Sequence, residues 1–321
     1  MDPRNLLDVR NWLNLAVEAA VRLGCRMHSL EGVSWYLPPD VRERVVLRWP
    51  ESYAWVATKG AEEQIRDMLG QRVRVVIAPI PQPYKGTIVT EFQIDGRVHE
   101  VAFNVNDHPE FLSEESARRS LVTFKFQYLK TGYGLPNIVP GGFIPLVSWL
   151  YQMLPLLRRA KDRWTSRFQV YARFSMQFAP GIRGAALRAL RTNRAFTLQG
   201  GDRKVRYSRY LRELARAMVC VDLPGEAPFC TRLVEYLAVG SCVVAVPYPT
   251  QFQAPLMDGV HVIYCQPDAR DLVALCEALL GDPARRRRME LAAREFFDRY
   301  LHRDQLSAYY LATVLAASGA S

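Results

Sequence analysis

The chain has 321 residues, 49% of them apolar and 23% charged, and a net charge of +10. That length can hold two units with separate cores, the composition excludes a fibrous or low-complexity chain, and the basic balance points to an anionic partner. Six cysteines with no CxxC spacing argue against a disulfide framework or a structural zinc, and for buried free thiols in a reducing compartment.

Residues 2–24 read as an amphipathic helix ended by Gly24; Asp8, Arg10 and Glu18 interrupt the apolar core that a signal peptide needs, so a cytoplasmic protein is expected. Residues 34–80 alternate short strand-like runs with one helix, Ala61 to Leu69, and close on a strand, Val73 to Ile80. TIVTEFQI and RVHEVAFNV flank Asp95-Gly96, the pair favoured where a two-residue hairpin needs positive φ. The second arm runs into Asn104-Val105-Asn106-Asp107-His108-Pro109. This polar cluster suits a functional loop, although pattern alone favours an ordinary turn. A short helix, Glu114 to Ser120, and a strand, Leu121 to Leu129 carrying Lys125, precede a Gly- and Pro-rich loop. The apolar run 142–157, cut by Pro145 and Pro155 and followed by RRAKDR, suits a buried connector better than a peripheral segment resting on anionic lipid at the inner face of a membrane.

A boundary is expected near Lys161 to Arg167, dividing the chain into an N-terminal domain (1–164), a second domain (165–285) and C-terminal helices (286–321). From Phe168 the pattern is regular: strand Phe168 to Phe174, helix Ile182 to Arg191, strand Ala195 to Leu198, helix Val205 to Arg216. There follow strand Ala217 to Val221, a helix opening at Thr231-Arg232 and ending at Gly240, strand Cys242 to Val246, strand Val260 to Cys265 and helix Ala269 to Leu280. This alternation implies a parallel sheet covered by helices on both faces. Two helices within Ala284 to Leu315, the second capped by Asp304, are expected to cross back onto the N-terminal domain.

No Walker sequence, G-x-G-x-x-G, G-x-S-x-G elbow, HxxxH or DxD is present, and the five histidines are scattered. Any phosphate grip must then come from arginines and helix N-termini, without metal or cofactor. Candidates recur at the carboxyl ends of successive strands: Arg173 and Ser175, Arg183 in the next helix, and Thr231 with Arg232. Glu235, one turn on, is placed for a hydroxyl. Residues 183–216 contain ten Lys or Arg against Asp202 and Glu213; most read as the solvated face of two helices. A nucleic-acid surface is the competing reading of that segment. It would require interleaved aromatics or a known module, and the segment offers only Tyr207 and Tyr210, so no nucleic acid is expected.

The order of these motifs resembles GT-B glycosyltransferases and, more narrowly, family 90, which contains capsule-associated proteins, protein O-glucosyltransferases and lipopolysaccharide-modifying enzymes. AFNVNDHP resembles that family's segment with a catalytic Asp. YARFSMQFAPGIRGAALRAL resembles its strand, turn and following arginine, RYLRELARAMVCVDLPGEAPFCTRLVEYLAVGSCVV its donor block, and LMDGVHVIYCQPDARDLVAL its next strand and helix. The resemblance implies two Rossmann-like domains facing a cleft, 1–164 on the acceptor side and 165–285 on the nucleotide-sugar side, and an inverting, metal-independent transfer from a nucleotide-diphosphate sugar, a UDP-sugar, to a glycan, lipid-linked or protein hydroxyl. Asp107 would be the general base. Arg173, Arg183 and Arg232 would stabilise the diphosphate, with Ser175 and Thr231 as further donor contacts and Glu235 as a ribose contact. In retaining GT-B families the corresponding place carries an E-x7-E pair; Glu235 fits its second member and Ala227 stands at the first, so retention is the alternative.

Overall fold

The computed structural model describes residues 9–53, 55, 60–163 and 168–320. The helices are α1 (Val9–Gly24), α2 (Val41–Arg44), α3 (Ala61–Gly70), α4 (Glu114–Arg119), α5 (Leu150–Arg163), α6 (Pro180–Thr192), α7 (Tyr207–Ala215), α8 (Thr231–Val239), α9 (Leu272–Gly281), α10 (Pro283–Phe296) and α11 (Arg303–Ser318). The strands are β1 (Val45–Pro50), β2 (Arg74–Ala78), β3 (Thr87–Ile94), β4 (Arg97–Asn104), β5 (Val122–Lys125), β6 (Ile138–Pro140), β7 (Phe168–Arg173), β8 (Leu198–Gly201), β9 (Ala217–Asp222), β10 (Cys242–Ala245) and β11 (Ile263–Tyr264).

They build two α/β layers. The first sheet has the order β2-β1-β3-β4-β5-β6 and is parallel except for β3, which runs against both neighbours. The reversal is the Asp95-Gly96 hairpin: both residues take positive φ (47° and 82°), the backbone of a tight primed turn. The second sheet, β11-β10-β9-β7-β8, is parallel throughout. Its strand order reverses between β7 and its neighbours, and in such sheets ligands bind beyond the carboxyl ends of the strands at that point.

α5 is the buried connector, with Leu150, Tyr151, Met153, Leu154 and Leu157 inside. Pro155 sits within it and has no N–H for the Tyr151 carbonyl one turn back. The N–H of His28 takes that carbonyl instead, at 3.0 Å, so the proline is tolerated by a tertiary contact. The boundary expected near Lys161 to Arg167 lies largely outside the described residues, as does the start of the N-terminal helix.

α11 does cross back. Tyr309 and Tyr310 donate their hydroxyls to the carbonyls of Pro140 (2.7 Å) and Gly141 (2.6 Å) after β6, and Asp304 accepts from the N–H of Leu30 (2.8 Å). Two expectations need correction here. The strand expected at Ala195 to Leu198 begins at Leu198 and runs to Gly201, because Gly200 and Gly201 (φ 123° and 100°) lie flat against β7. A Cβ at Gly200 would meet the Ala172 carbonyl oxygen at 2.0 Å. The cap of the last helix is His302, whose Nδ1 accepts from the N–H of Asp304; Asp304 itself turns to the first unit. A single π-turn, Phe297–Leu301, precedes it.

Candidate functional site

A cavity of about 280 Å³ opens where the second sheet reverses its order. β7 delivers Arg173, then Phe174 and Ser175; the loop after β8 delivers Asp202 to Val205; α7 contributes Tyr207 and Tyr210; α8 contributes Thr231, Arg232 and Glu235. Leu146, ahead of α5, closes the side facing the first unit. Both α7 and α8 start here, and neither has a side-chain cap on its first N–H groups. Five of the sequence candidates thus come together: Arg173, Ser175, Thr231, Arg232 and Glu235.

The arginines arrive already engaged. Arg173 donates to Glu213 Oε2 (2.6 Å), to the Arg203 carbonyl (2.6 Å) and to the Tyr171 hydroxyl (3.1 Å). Arg232 donates from Nε to Asp222 Oδ1 (2.8 Å) and from Nη2 to the Leu223 carbonyl (2.8 Å), with its guanidinium carbon 5.0 Å from the centre of the Phe174 ring. Asp222, fully buried, also accepts from the Tyr248 hydroxyl (2.7 Å). Arg183 does not line the cavity. It is buried behind Ser175, donating to the Ser175 carbonyl (2.7 Å) and the Leu223 carbonyl (3.3 Å). There it braces the two strand ends that carry the pocket.

Glu235 forms part of the floor. One oxygen accepts from the Tyr207 hydroxyl (2.7 Å) and the Leu146 N–H (3.2 Å). Desolvation pushes its pKa up to about 7, against the pull of those hydrogen bonds and of Arg232.

Asp107 lies outside this cavity, in the loop that follows β4 in the first unit. Its neighbour His108 reaches across to the second unit, with Nε2 3.5 Å from Glu226 Oε1 in the loop before α8. Asp107 is at the surface, yet the surrounding loops desolvate it, and with Glu226 nearby its pKa is raised. Beneath the loop Lys125 is completely buried and donates to Asn104 Oδ1 (2.7 Å), the His108 carbonyl (2.9 Å) and the Phe111 carbonyl (3.2 Å). Desolvation lowers its pKa to about 7. Gln127 fixes the opposite lip by exchanging two bonds with the backbone of Phe229 (3.0 and 3.1 Å).

Sequence reasoning left several of these groups without a role at the site. Lys125 was visible only as a lysine in a strand-like run, an unusual place for an ammonium group. Arg203 and Lys204 are two of the ten cations of residues 183–216, indistinguishable there by pattern, and Tyr207 enters the sequence reading only as an aromatic weighed for a nucleic-acid surface. Among the described residues no three His, Cys, Asp or Glu side chains gather closely enough to hold a metal ion, and no helix is long and apolar enough to cross a membrane.

Residues 183–312 match the family model described as glycosyl transferase-like. No curated protein sequence matches the chain significantly. Among solved structures, a glycosyltransferase from Rickettsia africae ESF-5 is similar at 12% sequence identity and a TM-score of 0.40. That match covers 62% of this chain and 64%, less than two thirds, of the other.

Proposed function

We propose that this protein transfers a sugar from a nucleotide-diphosphate donor, a UDP-sugar, to an acceptor hydroxyl, with inversion and without metal. The observation that carries this reading is the cavity at the β7/β9 reversal, inside the glycosyl transferase-like stretch, with two uncapped helix N-termini and several cations around it. The diphosphate would occupy that cavity, Ser175 and Thr231 supplying hydroxyls and Glu235 meeting the ribose. Asp107 would take the acceptor proton as the hydroxyl attacks the anomeric carbon, the donor C–O bond breaks and UDP leaves. A carboxylate with a raised pKa is the stronger base for that task. The acceptor, a glycan, lipid-linked or protein hydroxyl, would enter between the loop after β4 and the loop before α8. The narrower likeness to family 90 belongs to the same proposal.

One observation favours a second reading: Glu235 lines the cavity and Asp107 does not. In that case Glu235 acts at the donor and the product retains configuration. A donor panel assayed by NMR with and without EDTA, for wild type and Asp107→Asn, decides between them. Inversion, indifference to EDTA and a hundredfold to ten-thousandfold loss in the variant are expected. A retained anomer, a strict metal requirement or an unimpaired variant sinks the mechanism.

A further inference from the structure

Arg173 and Arg232 each face a buried carboxylate, Glu213 and Asp222, and most of their donors are spent on these and on backbone carbonyls. An entering diphosphate would have to compete with those partners at every contact. Two cations on the cavity wall are differently placed. Arg203 and Lys204, in the loop between β8 and α7, have exposed side chains that make no hydrogen bond or ion pair among the described residues. Two arginines next to this loop in the chain or in space are spoken for: Arg206 sits 3.5 Å from Glu18 and Arg191 3.2 Å from Asp202.

The loop itself is held. The Arg203 carbonyl accepts from Arg173 Nη1, while Glu213 on α7 ties the same guanidinium to the helix that follows the loop. The anchor fixes the backbone and leaves the two side chains free to meet an anion. The adjacent first turn of α7, uncapped, adds N–H groups to the same spot.

We propose that Arg203 and Lys204 hold the diphosphate of the nucleotide, and that Arg173 is a positioning residue that sets their loop and does not itself grip the phosphates. The inference rests on the donor-site reading above and assigns the charge within it. It also makes a distinction among the ten cations of residues 183–216: these two bind, and the remainder brace or solvate.

Calorimetric titration with UDP and with uridine, over a range of salt concentrations, tests this for wild type, Arg203→Met, Lys204→Met and the double variant. Because both side chains are exposed, melting without ligand should not change. Each substitution should weaken UDP on the order of tenfold, flatten the dependence of its affinity on salt, and leave uridine unaltered. Arg173→Lys keeps the charge but loses the simultaneous bonds to the Arg203 carbonyl and to Glu213. It should weaken UDP in the wild-type background and hardly at all in the double variant, a non-additivity that a ligand acting independently would not show. A double variant with the wild-type preference for UDP over uridine overturns the assignment and leaves the donor reading standing. A wild-type protein that binds neither UDP nor GDP, ADP or dTDP overturns both.

Discussion

Glu235 and Lys125 are each buried in a place that disfavours their charge, and each is held there by partners that want it. For Glu235 the consequence runs with pH. Below about 4.5 the carboxyl is protonated in folded and unfolded chains alike; as pH rises toward 7 only the unfolded chain releases its proton, so folding stability declines across that window. Glu235→Gln keeps an oxygen for Tyr207 and Leu146 and cannot ionise. Its melting temperature should exceed that of wild type at pH 8, by the equivalent of on the order of 3 kcal/mol, and the gap should close by pH 4.5. A gap that is constant from pH 4.5 to 8 would show that the side chain does not titrate in this way. Lys125 acts through the loop it supports. Lys125→Met orphans the carbonyls of His108 and Phe111, which follow Asp107 in the same loop, and should cost on the order of 1–3 kcal/mol in urea denaturation.

Elements owe their ends to local chemistry and their angles to distant contacts. Asp282 caps α10 by accepting from the Arg285 N–H, with Pro283 at the first helical position, and Ser113 caps α4 in the same way. Gly240 closes α8 in the left-handed conformation (φ 85°), and a Cβ there would lie 2.3 to 2.8 Å from the Arg294 side chain. Arg294 in turn bonds the Val239 carbonyl and both oxygens of Asp162 at the end of α5. Gly240→Ala should therefore cost about 1–2 kcal/mol for the backbone alone, and more as Arg294 is displaced from Asp162. Urea denaturation measures it; an unchanged midpoint would mean that the left-handed cap is not maintained in solution. Local pattern located this helix end from the glycine, but nothing near it in sequence announced Arg294, fifty-four residues on.

For the whole molecule the question is how two sheets become one scaffold with a cleft. The apolar core runs without a break from the first sheet through α5 and α8 to the C-terminal helices, with Phe103, Phe124 and Tyr310 in ring contact at one end and Phe229, Phe252 and Phe296 at the other. Heating should then give one calorimetric transition, and two well-separated ones would contradict a shared core. Tyr309→Phe with Tyr310→Phe removes the two hydroxyls that dock α11 on the first unit, leaves the Pro140 and Gly141 carbonyls without them, and should cost about 2–4 kcal/mol. What sequence determined by itself was whatever depends on near neighbours: the hairpin at Asp95-Gly96, the strand and helix alternation after Phe168, the stop at Gly240, and the place of Arg173, Ser175, Thr231, Arg232 and Glu235 each just after a strand or in the first turns of a helix. Tertiary structure alone decided which of those charges remain available. Arg173 meets Glu213 across forty residues, Arg232 meets Asp222 across ten, and Arg183 is drawn behind the wall, while Arg203 and Lys204 meet no carboxylate among the described residues. Periodicity reports which face of an element is apolar; it carries no record of which carboxylate a distant chain segment will bring to an arginine, and that pairing governs whether a cation can hold a ligand.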